Sequence, residues 1–511
     1  MDEMPRPAGR REWIGLAVLA LPTLLVSMDM SILFLAAPAL SAALRPSGSE
    51  LLWISDIYAF LLAGALIPMG AIGDRIGRRR LLLIGAAFFG FFSVLAAFAT
   101  GPAMLIGARA LLGVAGATLL PSTLALIRTL FETTRQRSVA IGIWTACFTL
   151  GGVLGPIAGG VLLEFFWWGS VFLLAVPFML PLLLLGPRFL PERVERATHP
   201  LDWPSVAQSV FGLLSITFAL KQLAEHGPTA TAALALVAGL MAGAMFLRRQ
   251  RRLPSPLVDL ALFRDTGFSA ALAANSLALF AWTGASLLVA QHLQLVVGMS
   301  PLNAGLWTVP AAIASVAACL GAASLSRRFS SVKVIGGALA LTASGLALMA
   351  ALSGSFGLPA VISGMVLLGF GVATVMTLGI DLVLAAAPAQ KAGAAAAISE
   401  TSAELGGALG VALLGSIGVA AYRALIVVPE GTAAAAAGAA RDTLGGALAI
   451  AAGLTATAGD ALRLSAQSAF ATGFAIAMGV GAVILLAASL LFASTAFGRR
   501  SRRQRALAEE A

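Results

Sequence analysis

Charged residues, cysteine and histidine are all scarce in this chain. Asp, Glu, Lys and Arg make up only 11% of its 511 residues, and there are two cysteines and three histidines. Cys147 and Cys319 both lie inside apolar runs, so we expect neither a disulfide framework nor a metal site. The sequence contains no GxxxxGK[ST] nucleotide-binding loop, which argues against a process driven directly by ATP. We expect no enzyme activity, no metal and no cofactor.

The apolar residues are abundant instead. Hydrophobic residues make up 59% of the chain, and the mean hydropathy is +0.95. This composition indicates a polytopic membrane protein. The formal net charge of +10 does not indicate nucleic-acid binding, because the basic residues lie between apolar segments. The first apolar run lacks a small-residue cleavage site and is therefore interpreted as a retained helix.

Fourteen apolar segments are long enough to cross a bilayer, which requires about 20 helical residues. They are predicted at 14–36, 51–72, 81–99, 102–127, 139–162, 168–186, 203–223, 229–247, 267–290, 302–325, 333–353, 358–385, 394–420 and 469–495. With the N-terminus in the cytoplasm, 27 of the 33 Lys and Arg residues fall in inward segments and five in outward ones. This bias predicts that both termini are cytoplasmic.

An internal repeat organises these segments. LLGVAGAT at 111–118 aligns with LLGFGVAT at 367–374, and a second match pairs segments 2 and 3 with segments 10 and 11. Both matches correspond to a shift of eight helices. A six-helix unit, two inserted helices and a second six-helix unit would explain that shift, and repeated bundles with a site between them are common in transporters.

The predicted fold is therefore all-α, with two six-helix bundles. The domains are 1–190 for the first bundle, 191–266 for a linker and inserted helices 7 and 8, 267–498 for the second bundle, and 499–511 for a basic cytoplasmic tail. The long outward segment at about 421–468 is rich in Ala and Gly. Composition leaves a short surface helix or hairpin and disorder as equal alternatives for it.

One loop carries an acid and a glycine that topology alone does not explain. GAIGDRIGRRR, from Gly70 to Arg80, joins segments 2 and 3. Gly77 permits a tight reversal, and Asp74 is suited to a helix N-terminus or to pairing with nearby arginines. The predicted cytoplasmic gate comprises Gly70, Asp74, Arg75, Gly77, Arg78 and Arg79.

Two helices carry further motifs. LIGARALLGVAGA contains Arg109, a charge inside segment 4, and GGVLGPIAGG lies in segment 5. The glycines allow close helix approach and the proline removes one backbone hydrogen bond. Plain helix packing would also explain such glycines. The residues of the second motif are Gly151, Gly155, Pro156, Gly159 and Gly160.

These motifs resemble those of the major facilitator superfamily. The loop matches G-x-x-x-D-R-x-G-R-R, and GGVLGPIAGG is similar to the helix-5 motif of drug:proton exchangers. DMSILFLAAP at 29–38 resembles the first-helix signature of the 14-helix antiporters, although Ser31 replaces Thr and Phe34 replaces Asn. In segment 4, Leu112 replaces the usual Gln, and the second-half loop GAASLSRRFSS has lost the acid and the glycine.

ELLWISDIY, QHLQLVVGMSPLNAG and ISETSAELG are similar to exporters of quaternary ammonium compounds, methyl viologen and cationic dyes. The resemblance implies a proton-coupled multidrug antiporter of the bacterial inner membrane that works by alternating access. Its partners would be lipophilic cations, protons and membrane lipid, with the proton gradient as energy source and the chain acting as a monomer. A carrier of a natural amphiphile is the alternative. The embedded acids and the intact loop argue against a non-transporting receptor.

Asp29 is the most informative acid, because a charge at the bilayer centre costs at least ~2.5 kcal/mol. At ~1.5 Å per residue, Asp29, Arg109 and Asp56 reach a similar depth in the outer half of the membrane. Arg109 would favour an ionised Asp29, and a proton on Asp29 would weaken the pair. We predict proton coupling for Asp29 and Arg109, and substrate binding for Asp56. A static pair that only orients two helices is the alternative.

Glu400 and Glu404 lie four residues apart, on one face of segment 13. They would bind a cation, carry a proton, or both, whereas simple interhelical hydrogen bonding is the alternative. The repeat places them opposite Trp144 and Phe148, whose aromatic faces suit lipophilic cations. We expect Asp381 and Glu164 to snorkel to the surface, and His292 to be interfacial.

Overall fold

The computed structural model describes most of the chain. The described residues are 8–44, 46, 48–192, 202–227, 229–253, 256–299, 301–352, 357–388, 391–429 and 432–509.

Fourteen helices in the described residues are long and apolar enough to cross a membrane, which confirms the predicted number. They are α1 (Arg10–Leu44), α2 (Gly48–Ile76), α3 (Arg78–Ala97), α4 (Pro102–Leu130), α5 (Thr134–Phe165), α6 (Ser170–Phe189, interrupted at residue 174), α7 (Trp203–His226), α8 (Ala230–Gln250), α9 (Thr266–Gln291), α10 (Val309–Arg328), α11 (Ser331–Leu352), α12 (Gly357–Ala386), α13 (Ala392–Leu425) and α14 (Ala456–Glu509). Shorter helical pieces are Leu260–Arg264, His292–Val296, Pro301–Leu306, Ala434–Asp442 and Leu444–Ala451.

The helix pairings confirm the repeat. Helix α1 packs on α5, α2 on α4, α3 on α4, and α3 on α6; the second half pairs α9 with α13, α10 with α12, α11 with α12, and α11 with α14. Each pair in the second half is the first-half pair moved by eight helices. These four pairs therefore bury corresponding helix faces in the two halves.

Two related seams join the halves. Helix α2 packs on α13, and α5 packs on α10, again a shift of eight. The face where α1 begins is called here the predicted cytoplasmic face. Near this face, apolar side chains of α12 and α13 join the core of the first half: Ile380, Leu384, Ala392 and Ala396. The halves are therefore packed together at this end.

The inserted helices lie at one seam. Helix α7 packs on both α2 and α13, and α8 packs on α7. Arg249 near the end of α8 donates two hydrogen bonds, of 2.7 and 2.8 Å, to Asp202, which precedes α7. These bonds from Arg249 lower the pKa of Asp202 to about 2. The pair fixes α7 and α8 to each other at the predicted cytoplasmic face.

In the segment predicted to face outward, 421–468, most of the described residues are helical. Ala434–Asp442 and Leu444–Ala451 fold over the second half, and the hydroxyl of Tyr422 donates to the carbonyl of Ala440 at 2.7 Å. Helix α14 begins at Ala456, so the predicted start at 469 was wrong. Its first turns carry the exposed Asp460, but they bury Leu462 against the second-half core. The exposed face of these turns is mainly polar, so the sequence did not indicate that their other face contacts the core.

Candidate functional site

Asp29 on α1 and Arg109 on α4 form a buried ion pair. The Nη1 atom of Arg109 lies 2.7 Å from Oδ2 of Asp29, and the two residues are 1% and 8% exposed, respectively. The Nε of Arg109 also donates to the carbonyl of Ile54 on α2, at 3.3 Å. The arginine therefore holds three helices of the first half around the acid.

Tyr58 on α2, which was not predicted from the sequence as a site residue, extends this cluster. The guanidinium carbon of Arg109 lies 4.7 Å from the centre of the Tyr58 ring and 6.0 Å from that of Phe172. Tyr58 is 1% exposed, and its hydroxyl has no hydrogen-bond partner among the described residues. The charges of Asp29 and Arg109, and of Glu404 from the other half, all act on this hydroxyl. The sequence feature that could have indicated a role for Tyr58 is its position in the motif ELLWISDIY.

Asp56 lies on α2, but its side chain falls outside what the structure describes, as does that of Pro156. The grouping of Asp56 with Asp29 and Arg109 therefore stays a prediction.

Glu400 and Glu404 lie on α13 as expected. Glu400 is 8% exposed and Glu404 is half-buried, and the two carboxylates interact electrostatically. On α5, the rings of Trp144 and Phe148 stack with centres 6.1 Å apart, and the Trp144 indole N–H donates to Thr123 at 3.0 Å. The roles of these four residues in substrate binding stay predictions.

The glycine motif of α5 packs on α1, the helix that carries Asp29. A Cβ added at Gly151 would collide with the carbonyl oxygen of Leu24, and one at Gly155 would collide with Ser31. This geometry supports a packing role for the motif. Its family role in antiport stays a prediction.

The predicted gate loop joins the two halves at the predicted cytoplasmic face. Gly77 has φ 103° and connects α2 directly to α3. Asp74 pairs with Arg78, and it accepts a hydrogen bond of 3.2 Å from the backbone N–H of Ala394 in the first turn of α13. Asp74 therefore does both of the things its sequence position suggested. We call Asp74, Arg78 and Ala394 the first clasp.

The other gate arginines do not cross between the halves through any described hydrogen bond. Arg79 pairs with Glu192 at 3.2 Å and donates to the carbonyls of Pro187 and Leu190, so it ties the loop to the end of α6. Arg75 has a buried Nη1 without a hydrogen-bond partner among the described residues.

A second clasp, which was not predicted from the sequence, joins α5 to α12. The Nε of Arg137 lies 3.0 Å from Oδ1 of Asp381, and the hydroxyl of Ser138 donates to Oδ2 at 2.5 Å. The Asp381 side chain is only 13% exposed, so the expectation that it snorkels to the surface was wrong. We call Arg137, Ser138 and Asp381 the second clasp. The second clasp therefore supplies an acid on the α5 side of the interface between the halves. The second-half loop GAASLSRRFSS, on the same side, has lost its acid.

His292 packs into the second half at the end of α9. It begins the π-helical turn after α9, is 3% exposed, and stacks on Phe474 of α14 with ring centres 4.9 Å apart. The π-helical turn therefore directs the ring into the second-half core, and the expected position of His292 at the membrane interface stays a prediction.

Comparisons with known proteins agree with this architecture. The chain is 45% identical over 479 residues to the multidrug efflux pump LfrA of Mycolicibacterium smegmatis, covering 94% of this chain and 95% of LfrA. It is 35% identical over 492 residues to the methyl viologen resistance protein SmvA of Salmonella typhimurium, covering 96% and 99%. These relatives indicate a membrane transporter of small molecules.

The fold matches a solved structure as well. The crystal structure of the human organic anion transporter MFSD10 (TETRAN) aligns with a TM-score of 0.61 at 16% identity, over 93% of this chain and 99% of that one. The sequence profile of the Major Facilitator Superfamily matches residues 19–411. This chain therefore belongs to the major facilitator superfamily.

Proposed function

We propose that this protein is a proton-coupled exporter of lipophilic cations in the bacterial inner membrane, with both termini in the cytoplasm. The observation that carries the proposal is the buried Asp29–Arg109 pair. Intramembrane acids are rare, costly and usually functional. The names of the relatives LfrA and SmvA support drug efflux and, for SmvA, a cationic compound.

The coupling step follows from the charge of the pair. Arginine stays protonated in proteins, so its partner Asp29 is the group that gains or loses the proton. A proton on Asp29 cancels one charge and leaves Arg109 buried with the Ile54 carbonyl and the Tyr58 ring. An uncompensated buried charge is strongly unfavourable, so proton arrival would favour a different packing of the helices around Arg109.

The cation would bind where the two halves meet. Glu400 and Glu404 supply negative charge from α13, and the stacked Trp144 and Phe148 supply an aromatic surface from α5. The charge of Glu404 also reaches the first-half cluster, because it acts on Tyr58 beside Arg109. Cation binding and protonation would then compete through one connected set of charges.

Alternating access would require both clasps to open. They connect the halves at the predicted cytoplasmic face: the first lies on the α2–α13 seam, and the second joins α5 to α12, beside the α5–α10 seam. A substrate entering from the cytoplasm would need the α2–α13 and α5–α12 contacts to separate. The proton gradient would supply the driving force, with the chain acting as a monomer.

The test is ethidium transport in inverted membrane vesicles, with and without an imposed proton gradient. We expect ethidium to accumulate only with the gradient, and methyl viologen to compete. Gradient-independent movement would contradict proton coupling. Gradient-driven transport of an amphiphile, with no response to either cation, would instead support the alternative carrier function.

A further inference from the structure

A basic groove lies outside both the coupling pair and the clasps. It has a volume of about 480 Å³ and opens at the predicted cytoplasmic face, between the start of α1 and the end of α6. Its lining consists of Arg10, Arg11, Ile14, Arg188 and Phe189. Three guanidinium groups from two helices therefore share one groove with two apolar side chains.

Local contacts hold the two helix ends together. Gly15 on α1 has no side chain, and an added Cβ there would lie 3.4 Å from the carbonyl oxygen of Phe189. The Nη2 of Arg11 donates to the carbonyl of Arg188 at 3.0 Å. These contacts bring Arg188 to the arginines of α1, although they are far apart in the sequence.

The three arginines form no ion pair with any described acid. Two acids occur close by in the sequence, and both are engaged elsewhere. Glu12 accepts a hydrogen bond from the backbone N–H of Gly9 at 2.7 Å, and Glu192 pairs with Arg79. Like charges in one groove repel each other, so a bound anion would stabilise this arrangement.

The position of the groove indicates the kind of anion. Arg10 and Arg188 lie at the ends of membrane-spanning helices, where lipid headgroups are found, and all three arginines are exposed. Basic pockets between helices at this level bind the headgroups of anionic lipids. Ile14 and Phe189 provide an apolar floor that a free phosphate ion would not use.

We propose that this groove binds an anionic phospholipid, with its phosphate between Arg10, Arg11 and Arg188 and an acyl chain along Ile14 and Phe189. The lipid would brace the start of α1 against α6. Because α1 carries Asp29, the lipid would stabilise the packing of the first half. The proposal is independent of the transported substrate.

The experiment is native mass spectrometry of the full-length protein in detergent, titrated with dioleoylphosphatidylglycerol or dioleoylphosphatidylcholine. We expect the anionic lipid to bind more tightly. Each arginine beside an anionic headgroup contributes about a fivefold factor, so Arg10→Gln with Arg188→Gln should weaken phosphatidylglycerol binding about 25-fold. Phosphatidylcholine binding should stay the same.

The matched control is Arg248→Gln with Arg251→Gln, which removes the same charge from exposed arginines at the end of α8. It should leave phosphatidylglycerol binding unchanged, and Arg10→Lys with Arg188→Lys should retain most of it. Equal losses in the groove and control variants would overturn the proposal. If the groove variant does not fold, the wild-type protein still decides: no preference for phosphatidylglycerol, or full displacement by millimolar inorganic phosphate, would also overturn it.

Discussion

At the scale of single residues, Asp29 is the group on which the proposed coupling depends. We expect Asp29→Asn to abolish ethidium accumulation driven by a proton gradient, because Asn has nearly the same shape but cannot exchange a proton near neutral pH. Downhill ethidium exchange should survive. The measurement is proton release from purified protein on ethidium addition, together with gradient-driven uptake in inverted vesicles.

The control for this change is Asp202→Asn, also carboxylate to amide. The pKa of Asp202 is about 2, below the ordinary value near 3.9, because Arg249 donates hydrogen bonds to it. Its stabilising effect is therefore complete above about pH 4 and is lost only as the pH falls towards 2. Asp202→Asn should not alter the pH dependence of transport between pH 6 and 8. If the Asp29→Asn protein still accumulates ethidium and still releases protons, Asp29 is not the coupling acid. Proton coupling would then be assigned to the Glu400–Glu404 pair.

Tyr58 should act through its ring and not through its hydroxyl. Tyr58→Phe keeps the ring beside Arg109 and removes a buried hydroxyl that lacks a described partner, so we expect normal transport and a slightly higher melting temperature. Tyr58→Leu removes a desolvated cation–π contact worth about 2 kcal/mol and should lower both stability and transport rate. Thermal melts and ethidium efflux rates would measure this. A transport loss in Tyr58→Phe equal to that in Tyr58→Leu would show instead that the hydroxyl is required.

At the scale of helices, the second clasp should keep α5 and α12 together. Asp381→Asn weakens charge-assisted hydrogen bonds worth about 1.5–3 kcal/mol, so the closed arrangement should lose population about tenfold or more. Cys319 on α10 is fully buried, and its carbonyl lies beside Gly142 of α5. Its alkylation by N-ethylmaleimide, in a Cys147→Ser background, would report opening of this seam.

We expect Asp381→Asn and Arg137→Gln each to accelerate alkylation of Cys319, and the double variant to add little, because both remove the same pair. The control is Asp460→Asn, at an exposed position in the first turns of α14. Unchanged alkylation in both single variants would rule out a role of the second clasp in closure.

The α2–α13 seam allows a steric test. A Cβ at Gly70 would lie 2.6 Å from Cβ of Ala397 and 2.8 Å from the carbonyl oxygen of Gly393. Gly70→Ala should therefore separate α2 from α13 and reduce gradient-driven efflux. Gly107→Ala, where an added Cβ meets nothing within 4 Å, should do neither. Equal behaviour of the two variants would contradict close packing at this seam.

The two clasps also show which parts of the site a sequence can reveal. Asp74 was predictable because its acid, turn glycine and arginines lie within one loop. Asp381 was not, because its partner Arg137 is 244 residues away and only the folded halves bring them together. Tyr58 was missed for a similar reason, since its contact with Arg109 depends on how α2 packs on α4.

At the scale of the whole molecule, the repeat predicted the fold and the structure shows where the symmetry ends. The pairings α1–α5, α2–α4, α3–α4 and α3–α6 all follow the shift of eight helices, whereas α14 packs on α13 far more extensively than α6 packs on α5. The seams differ, because α7 covers only the α2–α13 side and the second clasp takes its acid from α12 instead of the α10–α11 loop. Sequence periodicity reports helix packing but not which residue replaces a lost acid.

The meeting of the halves leads to a prediction about substrate charge. Glu400 and Glu404 provide two carboxylates one helical turn apart on α13. A dication such as methyl viologen would use both, whereas the monocation ethidium would need only one. Glu400→Gln and Glu404→Gln should each reduce methyl viologen efflux about tenfold, the effect of losing one ion contact of ~1.4 kcal/mol, and reduce ethidium efflux much less. The control is Glu164→Gln, which changes an exposed acid at the C-terminal end of α5. It should affect the efflux of neither cation. Equal losses for both cations would assign the glutamates to proton transfer or helix packing and place the substrate charge elsewhere.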